Sequence, residues 1–247
     1  MLTGIVIAKN EQKMIGDCLK SLDFVDEIIL VDTGSSDDTN KIAKSHNAKI
    51  VSSLDKDYSS WRNTGLKHST GDWIIYLDAD ERVSPALRKE ILQVILDKNA
   101  ADAYDLPRNN VFLGKLMHHG GWAGDYVTRL FKKKSLVRYE NPLHEQPVFT
   151  GKFVKLSQRL THYSHRDLSS MLEKTIFFTG YESELRFQTH HPIVVSWRFV
   201  RVMFTEFWHR FIKLSAWRDG TEGVIDGIFQ IFNTFIIYAR LWEKQRS

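Results

Sequence analysis

Tyr76-Leu77-Asp78-Ala79-Asp80-Glu81-Arg82 follows the apolar run Trp73-Ile74-Ile75 and sets three acids in four positions just where the apolar signal stops. A short apolar run bounded in this way reads as a buried strand that delivers charge at its carboxyl end. In extended geometry Asp78 and Asp80 point to the same side, an arrangement that suits a hard divalent cation with few protein carboxylates. A plainer reading is a solvated helix entry, with Asp80 or Glu81 favouring the following N-terminus. Aspartate-nucleophile phosphatases also place Asp-X-Asp after an apolar strand. They usually continue with Thr or Val where this chain has Arg82, and they carry the motif near the first strand rather than the fourth.

Working outward, short apolar runs alternate with helical patterns. Leu2 to Ala8, Glu27 to Asp32, Lys49 to Ser52 and Asp72 to Leu77 are predicted strands, and Glu11 to Leu22, Asp38 to His46 and Ser59 to Lys67 predicted helices. That order predicts a parallel sheet built from βαβ units. Ligands of such sheets bind beyond the carboxyl ends of the strands. Three ends carry polar clusters there: Lys9-Asn10-Glu11, Asp32 to Asp38, and Asp78-Ala79-Asp80. Ser84 as N-cap and Pro85 at the first position start a further helix running to about Lys98.

At 247 residues and 43% hydrophobic, the chain is long enough for a large core and an appendage, which excludes a disordered or fibrous protein. Its formal charge of +4 is mild for its length. The single cysteine, Cys18, allows no intrachain disulfide and fits a reducing compartment as a small buried hydrophobe. Met1 to Ile7 lacks a basic n-region and cleavage site, and reads as a first strand. From about Asp167 the pattern is helical. Val194 to Leu214 and Val224 to Trp242 are rich in large apolar residues with narrow polar stripes. Asp226, Gln230 and Asn233 would be costly in hydrocarbon, so helices in the membrane interface fit better than a span; a helical hairpin packed against the catalytic domain or another subunit is the alternative. No nucleic-acid reading module accompanies the basic residues.

Taken together, Ile7-Ala8-Lys9-Asn10-Glu11, Leu30 to Thr39, Arg62-Asn63, Gly71-Asp72-Trp73 and Leu77 to Glu81 resemble, in order and spacing, the nucleotide-sugar domain of family 2 glycosyltransferases. Arg108 to Gly114, His119-Gly120-Gly121-Trp122, Asp125 to Leu130, Val137-Arg138-Tyr139 and His144-Glu145 look like the branch that includes lipopolysaccharide-core β-1,4-glucosyltransferases. The resemblance implies an α/β glycosyltransferase A fold, assigned to residues 1–165, and the helical pattern beyond it makes 166–247 a helical extension. The resemblance also implies an inverting reaction, a UDP-sugar donor and a Mg²⁺ or Mn²⁺ ion. By the same resemblance Ala8, Asn10, Glu11, Asp32 and Arg62 hold the nucleotide, Asp32 at the uracil edge. Asp78 meets the ribose or metal, and Asp80 the metal.

Inversion needs a base on the acceptor side. Asp125, after a glycine-containing loop, is the first choice, with the N-cap of a short helix starting at Tyr126 as its plainer role. Glu145 is the competitor. His162 is the candidate late metal ligand, and His144 is a weaker one. Trp122 is either a sugar-stacking or a core residue. The interfacial helices predict a peripheral enzyme, in agreement with the resemblance, which implies a lipopolysaccharide inner-core heptose on the inner face of the cytoplasmic membrane as acceptor. Arg108, Lys132, Lys133, Lys134 and Arg138 are placed to attract its phosphates, with a solvated turn as the plainer role of the lysine run. Another cytoplasmic glycan, lipid or peptide acceptor is the runner-up, and a catalytically silent nucleotide-sugar-binding membrane scaffold the reading from another class.

Overall fold

The computed structural model describes every residue except 56, 143, 144 and 247. His144 therefore lies outside the described residues. In chain order the elements are β1 (Leu2–Ala8), α1 (Ile15–Lys20), β2 (Glu27–Asp32), α2 (Thr39–Ser45), β3 (Lys49–Ser52), α3 (Tyr58–His68), β4 (Trp73–Asp78), β5 (Glu81–Val83) and α4 (Pro85–Leu96). There follow β6 (Ala103–Phe112), β7 (Lys115–Leu116), β8 (Tyr126–Lys132), β9 (Leu136–Glu140), β10 (Gln146–Phe149), β11 (Phe153–Lys155) and β12 (Leu160–His165). The chain closes with α5 (Leu168–Gln188), α6 (Ser196–Phe207) and α7 (Gly220–Lys244).

These elements form two compact units, Met1–Asn109 with Asp125–His162, and Asn110–Gly124 with Tyr163–Ser247. In the first, the sheet runs β3-β2-β1-β4-β8-β6, with the first four strands parallel and β8 antiparallel to its neighbours. Alternation along β1 explains why both faces are covered: Leu2, Val6 and Ala8 join the core beneath α1, α2 and α4, while Ile5 and Ile7 join the core beneath α3. Gly65 lets α3 come down on β1, since a Cβ there would drive into Ile5 Cγ2. The predicted helix from Ser84 begins as expected, the Ser84 hydroxyl accepting from Leu87 N–H at 3.2 Å.

Two local expectations change. The first helix begins at Ile15 rather than Glu11. Asn10 instead adopts a φ of +55°, and Glu11 N–H donates to the Thr39 hydroxyl at 2.8 Å, so this stretch is a brace between the β1 and β2 loops. Tyr126 opens a strand, not a helix, which removes the N-cap role from Asp125.

In the second unit α7 packs against both α5 and α6. Thr175 donates to Asn233 at 2.7 Å and Lys244 pairs with Glu184 at 2.5 Å on the α5 side. Val194, Val202, Tyr238 and Leu241 form the small core on the α6 side. The predicted single helix to Leu214 is instead α6 followed by a π-helical stretch, Trp208–Lys213, ended by Ser215 at a φ of +52°.

Segment Asn110–Gly124 is held within this unit by two buried acids. Asp219 accepts from the His118 and His119 amides at 2.8 and 2.6 Å and pairs with His119 Nδ1 at 2.8 Å. Asp226 accepts from Trp122 Nε1 at 2.9 Å, and Trp122 packs with Phe112, Met117 and Met171. Trp122 is thus partly buried against this cluster. Replacing Asp219 by Asn halves the acceptors available to these donors and is expected to cost about 1–2 kcal/mol. Urea unfolding followed by limited proteolysis within 113–124 checks this; cleavage no faster than in the parent chain would contradict the latch.

Candidate active site

The site is built on one sheet edge of the first unit. Register sets its row: Ala8 lies beside Asp32, and Ile7 lies beside both Val31 and Asp78, so β2, β1 and β4 end together. With strands about 4.8 Å apart, Asp32 and Asp78 stand about 10 Å from each other across β1. That is the edge the sequence predicted, and all three polar clusters reach it.

On the β1–β2 side the loops lock each other. Asp32 is buried; its Oδ1 accepts from Ser35 N–H at 3.0 Å and its Oδ2 from Asn40 Nδ2 at 2.9 Å. Asn10 donates its amide to the Ser35 hydroxyl at 3.0 Å and accepts Ser36 N–H at 2.8 Å. The Ala8 carbonyl accepts Thr33 N–H at 3.1 Å. The result is a rigid, fully formed carboxylate with spare lone pairs at the end of β2.

On the β4 side a charge lattice forms around two buried guanidiniums. Arg62, 2% exposed, donates Nη2 to Asp78 Oδ1 at 3.1 Å and Nε to Glu145 Oε1 at 2.8 Å, with the rings of Tyr76 and Tyr139 at 5.6 and 5.4 Å. Arg129 donates Nη2 to Asp78 Oδ2 and, at 3.1 Å, to Glu81 Oε1. Burial alone would raise the Asp78 carboxyl, but Arg129 and Arg62 outweigh it and hold it well below the usual carboxylate range. Burial together with the charges of Asp78 and Glu145 pushes the neighbouring Tyr58 phenol up to about 12.

Glu81 is not a helix cap. It is fully buried, accepts Asp78 N–H at 3.0 Å through Oε2, and meets Arg129 and Arg108 through Oε1. It therefore clamps the Asp78-Ala79-Asp80 turn shut. Arg82 supports the same turn by donating to the Ala79 and Met14 carbonyls at 2.8 and 2.7 Å. Cys18 is buried and its thiol is pushed far up by burial, so it is inert packing under the turn.

The turn leaves Asp80 on the strand-end side. The antiparallel pairing of β12 with β5 sets His162 beside Glu81, and His162 Nε2 lies 3.8 Å from Asp80 Oδ2. Both side chains are partly exposed. An oxygen and an imidazole nitrogen at this separation fit Mn²⁺ or Mg²⁺, which commonly take one or two protein ligands and complete their shell with substrate phosphate and water. Among the described residues no group of three or more such side chains is gathered for a metal.

The acceptor-side candidates each hold an arginine. Asp125 receives a fork from Arg108, Nε to Oδ2 at 2.8 Å and Nη2 to Oδ1 at 2.9 Å. Glu145 meets Arg62 through Oε1. From the sequence Arg129 carries no assigned role, and Arg108 is offered only as a cation to attract acceptor phosphates; in the structure Arg108 turns to Asp125 instead. A guanidinium inside the apolar end of β8, next to Leu130-Phe131, was the available signal, because a buried arginine needs carboxylate partners from elsewhere.

A parallel sheet that ends in Asp32 and an Asp-X-Asp turn, followed by antiparallel strands that return a histidine to that turn, defines a glycosyltransferase A fold. The chain belongs to glycosyl transferase family 2, whose model matches residues 3–161. It is 26% identical to an uncharacterized glycosyltransferase of Rickettsia felis over 98% of this chain and 90% of that one. It is 21% identical to the lipopolysaccharide core biosynthesis glycosyltransferase LpsC of Rhizobium meliloti over 98% and 92%. A TPR repeat-containing protein of Synechococcus elongatus is 34% identical over 57% of this chain, which spans about a third, 34%, of that protein. Among solved structures, glucosyl-3-phosphoglycerate synthase of Mycobacterium tuberculosis, in complex with Mn²⁺, UDP and glucosyl-3-phosphoglycerate, is 17% identical. It matches with a TM-score of 0.46 over 69% of this chain and 74% of that one.

Proposed function

We propose that this protein is an inverting, metal-dependent transferase that moves a hexose, glucose, from a UDP-sugar to a lipopolysaccharide inner-core heptose at the inner face of the cytoplasmic membrane. The observation that carries the reading is the single sheet edge on which Asp32, the Asp78–Asp80 turn and His162 align, with Asp125 and Glu145 in the same unit. Likeness to LpsC along nearly the whole of both chains supports the acceptor class.

In this mechanism Asp32 accepts the uracil imide N–H, and the braced Asn10–Glu11 loop supports the nucleotide. Asp78 accepts from a ribose hydroxyl while Arg62 and Arg129 fix its direction. A divalent ion bound by Asp80 and His162 would supply positive charge to the departing diphosphate. Asp125, oriented by the Arg108 fork, takes the proton of the acceptor hydroxyl. The acceptor oxygen then bonds to the anomeric carbon from the face opposite the breaking bond to UDP, and the configuration inverts.

A second assignment of the base has its own support. Both oxygens of Asp125 are engaged by Arg108, whereas the Glu145 contacts to Arg62 run through Oε1. Turnover across UDP-glucose, UDP-galactose, UDP-N-acetylglucosamine and GDP-mannose, with and without Mn²⁺, on deacylated inner-core acceptor tests the function. Transfer from UDP-glucose giving a β-linked product is expected; no metal-stimulated transfer from any donor would refute it. Asp125→Asn is expected to lower kcat by about 10²–10⁴ with UDP binding retained. Near-parental turnover in Asp125→Asn with loss in Glu145→Gln would move the base to Glu145.

A further inference from the structure

We infer that the outward face of α6 and the π-helical turn after it is the membrane-docking surface, a stripe that lies in the interface of an anionic bilayer. This rests on the membrane reading above and names the surface and the lipid chemistry for it.

Within α6 the burial runs opposite to that of an ordinary surface helix. Val202 is 8% exposed and turned toward α7, while Trp197, Val200 and Phe204 are 55%, 71% and 62% exposed, and Trp208 beyond them 48%. These positions recur three or four apart, so they make one apolar stripe down the helix. Such a stripe usually faces a core; here it faces away from α7, which packs on α6 within its unit. Scattered exposed hydrophobics are normal, but a continuous aromatic stripe of this kind marks an interaction site.

Charge selects the occupant. Residues 194–218 hold five basic side chains, Arg198, Arg201, Arg210, Lys213 and Arg218, against one acid, Glu206. Glu206 is already paired to Arg210 at 2.7 Å. The guanidiniums of Arg198 and Arg201 lie over the Trp197 ring at 5.6 and 5.3 Å, so cation and aromatic form one amphipathic edge. Aromatics flanked by arginines are the composition of an interfacial helix on anionic lipid. A second copy of the chain would set this positive edge against itself.

The same unit argues against a span. α7 is long and apolar enough to cross a membrane by length and composition. Its Asp226, Asn233, Arg240 and Lys244 are nevertheless bonded to Trp122, Thr175, the Ile176 carbonyl and Glu184. Pulling α7 through a bilayer would break those contacts and strand the charges. α7 is therefore the scaffold and α6 the surface it presents.

Flotation of the full chain with neutral phosphatidylcholine vesicles and with vesicles containing 30% phosphatidylglycerol tests the inference. The parent chain is expected to float with the anionic vesicles. Val200→Ser with Phe204→Ser is expected to weaken that binding about 10²-fold at unchanged thermal stability, because both side chains are exposed in the free protein. Arg198→Gln with Arg201→Gln is expected to weaken it about 20-fold, with most of the difference lost in high salt. As a second readout, Phe204→Cys carrying an environment-sensitive dye is expected to brighten on anionic vesicles; buried Cys18 leaves the label site-specific. If the parent floats and Val200→Ser/Phe204→Ser floats equally well, the membrane reading survives and this surface is wrong. If the parent fails to float and sediments as a dimer that Val200→Ser/Phe204→Ser makes monomeric, a second copy covers the stripe and the inference is overturned. Sugar transfer to a soluble acceptor, unchanged in these variants, keeps the proposed chemistry separate from either result.

Discussion

Replacing Arg129 by Met is expected to destabilise the protein by about 3–5 kcal/mol, because it removes one partner from a buried ion cluster and leaves the others in place. Arg129 is buried and joins Asp78 to Glu81, and Glu81 is itself without solvent contact. Met fills much of the volume but neutralises neither carboxylate. Adding Glu81→Gln removes one of the stranded charges, so the double variant should regain part of the loss rather than add to it. Urea unfolding of the three chains at pH 7 measures this directly; additive losses, or a loss below about 1 kcal/mol, would mean the cluster is not held together by Arg129. The pH dependence has a fixed sign. Because the folded Asp78 carboxyl sits below its unfolded value, its contribution is fully present above about pH 4 and is lost as pH falls toward the folded value. Part of that depression comes from Arg129, so the gap between parent and Arg129→Met should narrow on going from pH 5 to pH 2.5.

The same cluster shows where the sequence is readable and where it is not. Strand runs such as Ile28-Ile29-Leu30-Val31 and Trp73-Ile74-Ile75 announce themselves through apolar period and length, and the acids that end them mark the ligand edge. Each of these signals is local. Glu81, Arg129 and Arg108 carry no local signal for their partners, since Arg129 reaches Asp78 and Glu81 across roughly fifty residues of chain. Asp125 misleads for a related reason. An Asp before Tyr is a good N-cap, and only the pairing of β8 with β6 and β4 makes the segment a strand. Segment 110–124 carries the His-Gly-Gly-Trp motif, yet its His118 and His119 amides are satisfied by Asp219, about a hundred residues later. Local pattern gives the elements; which polar residue completes which site is set by tertiary pairing.

Asp80→Asn is expected to abolish metal-stimulated transfer, lowering kcat about 10³-fold at saturating Mn²⁺, while Asp78→Asn should act through the fold as well. The two acids stand two residues apart and differ in what surrounds them. Asp78 is tied to two buried guanidiniums, so its loss disturbs the lattice that orients Glu145 and Glu81. Asp80 lies next to His162 at 3.8 Å, and both side chains are partly exposed. Ligand-induced stabilisation separates metal binding from catalysis. UDP with Mn²⁺ at about 100 times their dissociation constant should stabilise the parent by about 2.7 kcal/mol. In Asp80→Asn most of the Mn²⁺-dependent part should vanish while that of UDP alone persists; His162→Gln should lose a smaller share. A thermal shift with Mn²⁺ and UDP that is unchanged in Asp80→Asn would remove Asp80 from the metal. The turn would then be what its acids suggest when taken alone, a charged exit from a buried strand closed by Glu81.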